Sequence, residues 1–455
     1  MSTTTTPARF VRELRDMCGA EHVIEDPAQL HEGRIAGVAP AVAVEPASAD
    51  EVAAVLRFAN EHGLNVVPAG GFTHQQTGNK PAQVDVLLST RRLTEVEHYD
   101  PGDLTVGVGA GCTVAQLTSM VAKDGLLFAA DVAQPQRATL GGALATGMTG
   151  PLRHGYGGLR DYCIGIRFVT ADGRKGKGGG RVVKNVAGYD MMKLLIGSWG
   201  TLAIVTSASF KLFPAPRQTR TFIARFPSSG EALHFRDAVL RSPLSPICLE
   251  LISPEAGSLL PAIVRQESSS RTEPSEAAPG RDTEACWCVL LRASGSDAVL
   301  VRFRSELGSA VPREITDEDE RRLWCAIQDF PHTLPEQRPD CVLMSLWLPL
   351  TEARTALDGL LSLAKSTGLT LVAIGRVGVG HLLAGLCPTE DSPADLAALS
   401  AFRDRLPRDA SMRVLYCPEE LRAACFRTPT DLASMRAIKH ALDPKDILNR
   451  GRFVF

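Results

Sequence analysis

Two glycine-rich runs suggest the chemistry of this sequence. One follows a hydrophobic stretch and reads AGGFTHQQTG over residues 69–78, and a longer one occupies residues 137–213. Glycine permits positive φ angles and lets backbone N–H groups approach a ligand closely. Successive N–H groups that point into one concavity bind anions. The runs therefore predict a phosphate-bearing cofactor laid along the backbone, with glycine turns in a β-rich region as the alternative interpretation.

The common nucleotide-binding motifs do not match. A dinucleotide-binding domain carries GxGxxG after its first strand, with an acidic residue about 20 positions further on. The nearest run, GVGAG at residues 107–111, has another spacing and leads into a helix that begins at Thr113. No Walker A motif occurs in the sequence. An ordinary Rossmann or ATP-binding fold is therefore disfavoured.

Length and composition indicate a soluble protein of several domains. A chain of 455 residues predicts two or three domains, and 44% hydrophobic with 22% charged residues is typical of globular proteins. A net charge of −2 and 5% aromatic residues argue against nucleic acid or an anionic membrane as a direct partner. We find no transmembrane stretch and no signal peptide. The sequence predicts a cytoplasmic protein that reaches a membrane only through partners.

Cysteine usage points the same way. The 11 cysteines are scattered, and none has CxxC spacing. Such a pattern is typical of reduced thiols in the cytoplasm. It predicts no metal site of the iron–sulfur or structural zinc type.

Capping and turn signals predict the elements that position the first glycine run. Ser48 and Glu51 have capping-box spacing, and the helix that they begin ends at Gly63. Strands at residues 41–44 and 65–68 flank this helix, which predicts a βαβ unit with parallel pairing. Further signals are a second capping box at Thr113 and Gln116, and hairpin turns at residues 100–103 and 172–173.

Five segments, in order, resemble the FAD-binding domain of the vanillyl-alcohol oxidase/p-cresol methylhydroxylase (PCMH) superfamily. VVPAGGFT at residues 66–73 resembles its first pyrophosphate loop, and QPQRATLGGALATG at 134–147 resembles its second glycine segment. Residues 157–161, 185–194 and 200–206 complete the series. Each segment alone is weak, whereas five in the same order are specific.

The resemblance implies an α+β fold in four parts. These are an N-terminal helical segment at residues 1–37, a two-part PCMH-type FAD-binding domain at 38–216, an α+β cap domain of ferredoxin-like, substrate-binding type at 217–430, and a C-terminal segment at 431–455 that returns to the FAD domain. The polar stretch at residues 265–284 is rich in Ser, Glu and Pro and predicts a disordered insertion in the cap.

A narrower resemblance rests on GGRVVKNVAGYDMMKLL at residues 179–195 and on the tail at residues 442–452. Both are similar to the FAD-binding (GlcE-like) subunits of glycolate oxidase. Some relatives in the superfamily bind flavin covalently through a histidine that would correspond to Thr73. Since His74 lies one residue later, the resemblance implies FAD held non-covalently.

The resemblance also implies a set of cofactor contacts. Backbone N–H groups at Gly70, Gly71 and Phe72, and at Gly141 and Gly142, are suited to pyrophosphate oxygens. The full implied set is Pro68, Ala69, Gly70, Gly71, Phe72, Thr73, His74, Pro135, Thr139, Gly141, Gly142, Ala145, Thr146, Gly150, Arg153, Arg160, Asn185, Gly188, Tyr189, Ile204, Asn449 and Arg452.

One motif departs from the relatives that oxidise 2-hydroxy acids. These relatives share HxGDGNxH, whose histidines help to hold a divalent metal that orients the substrate. The matching stretch here is RVGVGHLL at residues 376–383, with Arg376 and Leu383 at the histidine positions and His381 at that of the asparagine. We therefore predict no metal and a structural role for His381. Alternatively, Arg376 binds the carboxylate of a ligand through two hydrogen bonds. Arg376 and His381 are the candidates for catalysis.

The leading functional prediction is an FAD-binding subunit of a glycolate/D-lactate oxidising complex. Its partners would be a catalytic flavoprotein subunit and an iron–sulfur subunit, which receives electrons from the flavin. Two alternatives stay open: a non-catalytic flavoprotein that only assembles the complex or relays electrons, and a stand-alone FAD-dependent oxidoreductase with another substrate.

Overall fold

A computed structural model of the chain describes residues 8–181, 189–264, 286–311, 313–389, 396–425 and 432–453. The predicted insertion at residues 265–284 lies outside the described residues, as do Asn185 and Gly188. The chain divides into two compact units. Unit 1 comprises Met1–Thr149, Gly157–Ala215 and Phe426–Phe455, and unit 2 comprises Gly150–Tyr156 and Pro216–Cys425.

Unit 1 begins with a four-stranded sheet and three helices. Its strands are β1 (Val23–Ile24), β2 (Val42–Val44), β3 (Val66–Ala69) and β4 (Val86–Ser89), and its helices are α1 (Ala8–Cys18), α2 (Pro27–Glu32) and α3 (Ala49–His62). As predicted, α3 begins after Ser48, whose side chain accepts from the N–H of Glu51, and ends at Gly63. The predicted direct pairing of β2 with β3 is wrong. Both strands are parallel, but β4 lies between them and pairs with each.

A five-stranded antiparallel sheet forms the rest of the unit 1 core. The elements are β5 (Val96–Asp100), β6 (Thr105–Gly109), α4 (Val114–Ala122), β7 (Leu126–Leu127), α5 (Leu140–Thr146), α6 (Arg153–Tyr156, which belongs to unit 2), α7 (Leu159–Tyr162), β8 (Cys163–Thr170), β9 (Lys175–Gly179), α8 (Met191–Leu195), β10 (Ala203–Lys211) and β11 (Phe213–Pro214). The strand order is β5-β6-β10-β8-β9. The predicted hairpins at 100–103 and 172–173 are present, and Thr113 with Gln116 forms the predicted capping box.

Unit 2 contains an eight-stranded antiparallel sheet with helices. Its remaining elements are β12 (Thr219–Phe226), α9 (Ser229–Arg241), β13 (Cys248–Ile252), α10 (Pro254–Ser258), β14 (Trp287–Ser294), α11 (Asp297–Leu307), β15 (Arg313–Ile315), α12 (Asp317–Gln337), β16 (Val342–Trp347), α13 (Ala353–Thr367), β17 (Thr370–Arg376), β18 (His381–Cys387), α14 (Leu396–Asp404), β19 (Ser411–Tyr416) and α15 (Arg422–Cys425). The order is β15-β12-β14-β13-β17-β18-β16-β19. The predicted alternation of helices and strands in this region is thus present.

The C-terminal segment belongs to unit 1 and adds α16 (Leu432–Leu442). After α16 the chain pairs with β3: the N–H of Val66 donates to the carbonyl of Ile447 at 2.8 Å, and the N–H of Asn449 donates to the carbonyl of Val66 at 2.9 Å. This pairing brings Asn449 beside the loop that follows β3. None of the helices in the described ranges combines the length and apolar character needed to cross a membrane.

Candidate functional site

A cavity in unit 1 gathers both glycine segments and the C-terminal segment. Fifteen of the residues that the sequence predicted line it: Pro68, Ala69, Gly70, Gly71, Phe72, Thr73, His74, Thr139, Gly141, Gly142, Ala145, Thr146, Ile204, Asn449 and Arg452. The other lining residues are Gln75, Thr90, Ser198, Trp199, Gly200, Ala203, Val205 and Phe453. No carboxylate occurs among these described residues, so the lining is suited to an anionic ligand.

The loop after β3 supplies backbone donors. It packs so closely on the second glycine segment that a Cβ on Gly70 would lie 2.0 Å from Oγ1 of Thr139, and one on Gly71 would lie 1.8 Å from the carbonyl oxygen of Arg137. Phe72 lines the cavity and has φ +59°, a conformation that is uncommon in residues other than glycine. Within the described chain, the N–H groups of Gly71, Phe72 and Thr73 donate to no protein acceptor. Adjacent N–H groups of this kind form an anion site.

The second glycine segment has another role than the sequence suggested. The N–H of Gly141 donates to the carbonyl of Ala110 at 2.8 Å, and that of Gly142 donates to Oγ1 of Thr139 at 3.2 Å. Both N–H groups are therefore engaged inside the protein, which disfavours them as donors to a ligand. A Cβ on Gly141 would lie 2.9 Å from that of Ala110, so this glycine allows α5 to pack closely.

Trp199 and Asn449 form another part of the wall. Trp199 has φ +57° and Asn449 has φ +52°, conformations that cost free energy in residues other than glycine. The side-chain amide of Asn449 donates to the carbonyl of Trp199 at 2.7 Å, which fixes both residues. Oδ1 of Asn449 is buried and, among described residues, has no hydrogen-bond partner. A buried acceptor without a partner points to a ligand donor at this position.

Sequence reasoning did not select Trp199, Gln75 or Phe453. Two of these residues contact Arg452, which the sequence did predict. Its guanidinium donates to the carbonyl of Gln75 at 2.9 Å and lies over the ring of Phe453. Trp199 packs between Phe453 and His74, with ring centroids 5.1 Å and 6.1 Å away. A signal for Trp199 was available in the sequence. It directly precedes Gly200, the first residue of a segment that resembles the superfamily.

Several predicted contacts are not part of this cavity. Pro135 and Arg160 do not line it, and Tyr189 is 91% exposed. Gly150 and Arg153 belong to unit 2. Asn185 and Gly188 lie outside the described residues, so their proposed role stays a prediction.

The two catalytic candidates meet inside unit 2. Arg376 ends β17 directly opposite His381 at the start of β18, and both are almost fully buried. Nη1 of Arg376 donates to Nδ1 of His381 at 2.7 Å, so Nε2–H of the histidine donates to Oγ of Ser345 at 2.8 Å. Trp347 stacks on the imidazole at 4.2 Å. Both ring nitrogens are thus engaged, as a structural histidine requires.

This arrangement does not fit a divalent metal. A metal ligand must offer a free imidazole lone pair, whereas the lone pair on Nδ1 of His381 accepts from a guanidinium. The Arg376 side chain also faces inward: its Nε lies 3.9 Å from Oε1 of the fully buried Glu250. Bidentate binding of a ligand carboxylate by Arg376 is therefore disfavoured. No reaction step is assigned to this cluster.

We expect His381 to make stability depend on pH. Burial, and then the charges of Arg376 and Arg153, lower the pKa of His381 well below its ordinary value of 6.5. Below pH 6.5 the unfolded chain therefore binds a proton that the folded chain does not, and stability falls as pH falls. The contribution approaches about 1.4 kcal/mol per pH unit.

Urea unfolding between pH 7.5 and 5 measures this effect. His381→Gln is expected to show a smaller loss of unfolding free energy toward low pH than the wild type. His440→Gln, which alters an exposed histidine on α16, serves as the control and should keep the wild-type slope. Equal slopes in all three proteins would refute the assignment.

Two family models match the chain: an FAD binding domain over residues 40–175 and the C-terminal domain of FAD linked oxidases over residues 424–453. Among curated relatives, a D-lactate dehydrogenase of Archaeoglobus fulgidus is 37% identical, over 47% of this chain and 48% of that protein. The chain thus spans about half the length of this relative. Glycolate oxidase subunit GlcD of Bacillus subtilis is 25% identical, over 91% of this chain and 88% of that protein.

A solved structure of p-cresol methylhydroxylase with substrate bound shares the fold. Its TM-score is 0.74 at 19% identity, and the match covers 100% of this chain and 98% of that one. The chain therefore carries an FAD-binding domain, as predicted, and an FAD-linked oxidase C-terminal segment, and it shares the fold of p-cresol methylhydroxylase.

Proposed function

We propose that this protein is the FAD-binding subunit of a complex that oxidises a small 2-hydroxy acid, glycolate or D-lactate, to the 2-oxo acid. The observation that carries the proposal is the cradle in unit 1, where adjacent N–H donors and one buried acceptor face a cavity free of carboxylates. The names of the relatives, a D-lactate dehydrogenase and a glycolate oxidase subunit, support the substrate class. When bound, FAD supplies the two-electron acceptor.

The residues of the cradle would hold the cofactor in distinct ways. The N–H groups of Gly71, Phe72 and Thr73 bind the pyrophosphate, since they have no other acceptor. Oδ1 of Asn449 accepts from a donor of the cofactor, because its amide nitrogen is already used on Trp199. Thr73 stands where covalently flavinylated relatives would have a histidine, and His74 lies one residue later, so we expect FAD to be held non-covalently. Acid precipitation of the holoprotein is expected to release all flavin into the supernatant.

We expect Trp199 to report cofactor binding. It is the sole tryptophan between residues 1 and 215 and lines the cavity. Adding FAD to the apoprotein should quench tryptophan emission, and the quenched fraction should fall in Trp199→Phe. Trp347→Phe, which removes a tryptophan of unit 2, is the matched control and should retain the Trp199 contribution. Unchanged quenching in Trp199→Phe would place the cofactor elsewhere.

The chain would act with partners. We propose a catalytic flavoprotein subunit and an iron–sulfur subunit that accepts electrons from the flavin, in the cytoplasm and at the membrane only through these partners. The absence of CxxC spacing among the cysteines favours an external iron–sulfur acceptor. The designation of the Bacillus subtilis relative as a subunit supports an assembly of several chains.

A second candidate function is a flavoprotein that relays electrons without binding substrate. The buried cluster of Arg376, His381 and Ser345 favours it, because these side chains bond to one another where hydroxy-acid oxidising relatives would hold a metal. Anaerobic addition of glycolate or D-lactate to the isolated holoprotein separates the two candidates. Bleaching of the flavin supports direct oxidation, whereas bleaching only after the partner subunits are added supports the relay. A purified chain that cannot be loaded with FAD refutes both.

A further inference from the structure

Two buried thiols face each other at one end of the sheet in unit 2. Val342 on β16 pairs with Leu386 on β18, and the next residues toward that end are Cys341 and Cys387. Both are free thiols at 0% exposure. Facing residues of antiparallel strands have Cα atoms about 4.5–5.5 Å apart, which lies inside the span of about 4.4–6.8 Å that a disulfide bridges. Continuing the register by one pair therefore brings Cys341 and Cys387 to facing positions, at a separation that a cross-strand disulfide can bridge.

Arg338 holds the two segments together. Its carbonyl accepts from the N–H of Cys341 at 3.1 Å, and its Nη2 donates to the carbonyl of Pro388, the residue after Cys387, at 2.6 Å. A cation therefore lies beside the thiols. The hydrogen bond from the Cys341 thiol lowers the pKa of Cys387 below its ordinary value of 9.0, and Arg338 adds to this effect, whereas burial and the charge of Asp340 oppose it. Cys387 is therefore the better nucleophile of the pair, because the thiolate is the reactive form.

We propose that Cys341 and Cys387 form a redox modification site that hydrogen peroxide closes to a disulfide. The Cys387 thiol loses its proton, and the thiolate attacks one peroxide oxygen. The O–O bond breaks, and the departing hydroxide takes up that proton, so a sulfenic acid and water result. The Cys341 sulfur then attacks the sulfenic sulfur. The S–S bond forms, the S–O bond breaks, and the departing hydroxide takes the thiol proton to leave as water. The two thiols together lose two electrons, and one molecule of hydrogen peroxide is reduced to two molecules of water.

The chain contains its own controls. Cys325 is exposed, and its oxidation shows that the peroxide is active. Cys163 is buried like the pair, but its thiol donates to the carbonyl of Gly165 at 3.4 Å, and burial raises its pKa to about 12. Cys163 and both cysteines of the pair are buried, whereas Cys163 lacks, among the described residues, the facing thiol and the neighbouring cation on which the proposal rests.

The test is a peroxide titration of the full-length holoprotein. Remaining thiols are alkylated, the protein is digested without reduction, and peptides are identified by mass spectrometry. We expect a linked peptide with Cys341 and Cys387 at peroxide doses that leave Cys163 alkylated, and we expect dithiothreitol to remove it. The proposal is overturned if Cys325 is oxidised while Cys341 and Cys387 stay alkylated, or if either one forms a disulfide with another cysteine instead.

A second readout uses stability. The bridge would close a loop of about 45 residues and restrict the unfolded chain, so oxidation is expected to raise the melting temperature of the wild type reversibly. Cys341→Ser should show no such rise and should accumulate a sulfenic acid at Cys387 that dimedone traps. If Cys341→Ser does not fold, the peptide map of the wild type still decides the question. An unchanged melting temperature in a wild type that carries the linked peptide would show that the bridge has no effect on stability and would limit the site to chemical modification.

Discussion

Replacement of Lys439 by methionine is expected to lower the free energy of unfolding by about 3–5 kcal/mol, as measured by urea unfolding. Lys439 is 5% exposed. Its Nζ donates to Oδ2 of Asp443 at 2.6 Å and to the carbonyls of Thr201 and Leu448 at 2.9 and 3.0 Å. Methionine fits the space but removes the cation that pairs with the buried Asp443 carboxylate and the donor to two carbonyls. A buried charge without its counter-charge is costly.

The effect should extend to the cofactor cradle. Asp443 accepts from the N–H groups of Ile447 and Leu448, which directly precede Asn449. Lys439 thereby connects three parts of unit 1: the helix α16, the turn that presents Asn449, and Thr201, which follows Gly200. We expect Lys439→Met to retain less FAD than the wild type at equal protein concentration, in addition to its lower stability.

Two variants test whether the buried pair is responsible. Lys445→Met removes an exposed lysine of the same segment, whose Nζ donates to the carbonyl of Asn60, and should cost about 0.5 kcal/mol or less. The double variant Lys439→Met with Asp443→Asn should be less destabilised than the sum of its single changes, because the charge is removed together with its partner. If Lys439→Met and Lys445→Met are equally stable, the role assigned to the pair is wrong.

The parts of the fold that the sequence predicted well are local. The helix α3 is encoded by Ser48 at its start and Gly63 at its end, and the hairpin at residues 172–173 by an Asp-Gly turn. In both cases the determining groups are close in sequence. The FAD-binding domain was predicted from the order of five such local segments and is confirmed by the domain match.

The errors concern partners that are distant in sequence. Nothing local to β2 and β3 shows that β4 lies between them. Gly141 was assigned a ligand, but its N–H is taken by Ala110, 31 positions earlier. Trp199 was missed because its conformation depends on an amide donated by Asn449, 250 positions later. The sequence marks which backbone can approach a ligand, whereas the fold decides which N–H groups remain available for it.

Gly71→Ala is expected to abolish most FAD binding, because the clash that it creates is with backbone. A Cβ at this position would lie 1.8 Å from the carbonyl oxygen and 2.5 Å from the carbonyl carbon of Arg137. No rotamer change relieves such a contact, so either the loop of Gly71 or the segment of Arg137 must move. Overpacking of this kind costs about 1–3 kcal/mol, and each 1.4 kcal/mol that is lost from binding is about tenfold in affinity.

The measurement is the ratio of flavin to protein absorbance after purification and after titration with FAD. Gly102→Ala is the matched control: it makes the same chemical change in an exposed turn of unit 1, where the new Cβ meets only Oδ1 of Asp100 at 3.3 Å. It should bind FAD like the wild type. Circular dichroism and urea unfolding then show whether Gly71→Ala is folded. A folded Gly71→Ala with wild-type FAD content would mean that the loop after β3 is not the cofactor cradle, because the N–H groups of Gly71, Phe72 and Thr73 cannot keep their positions once the clash has displaced their backbone.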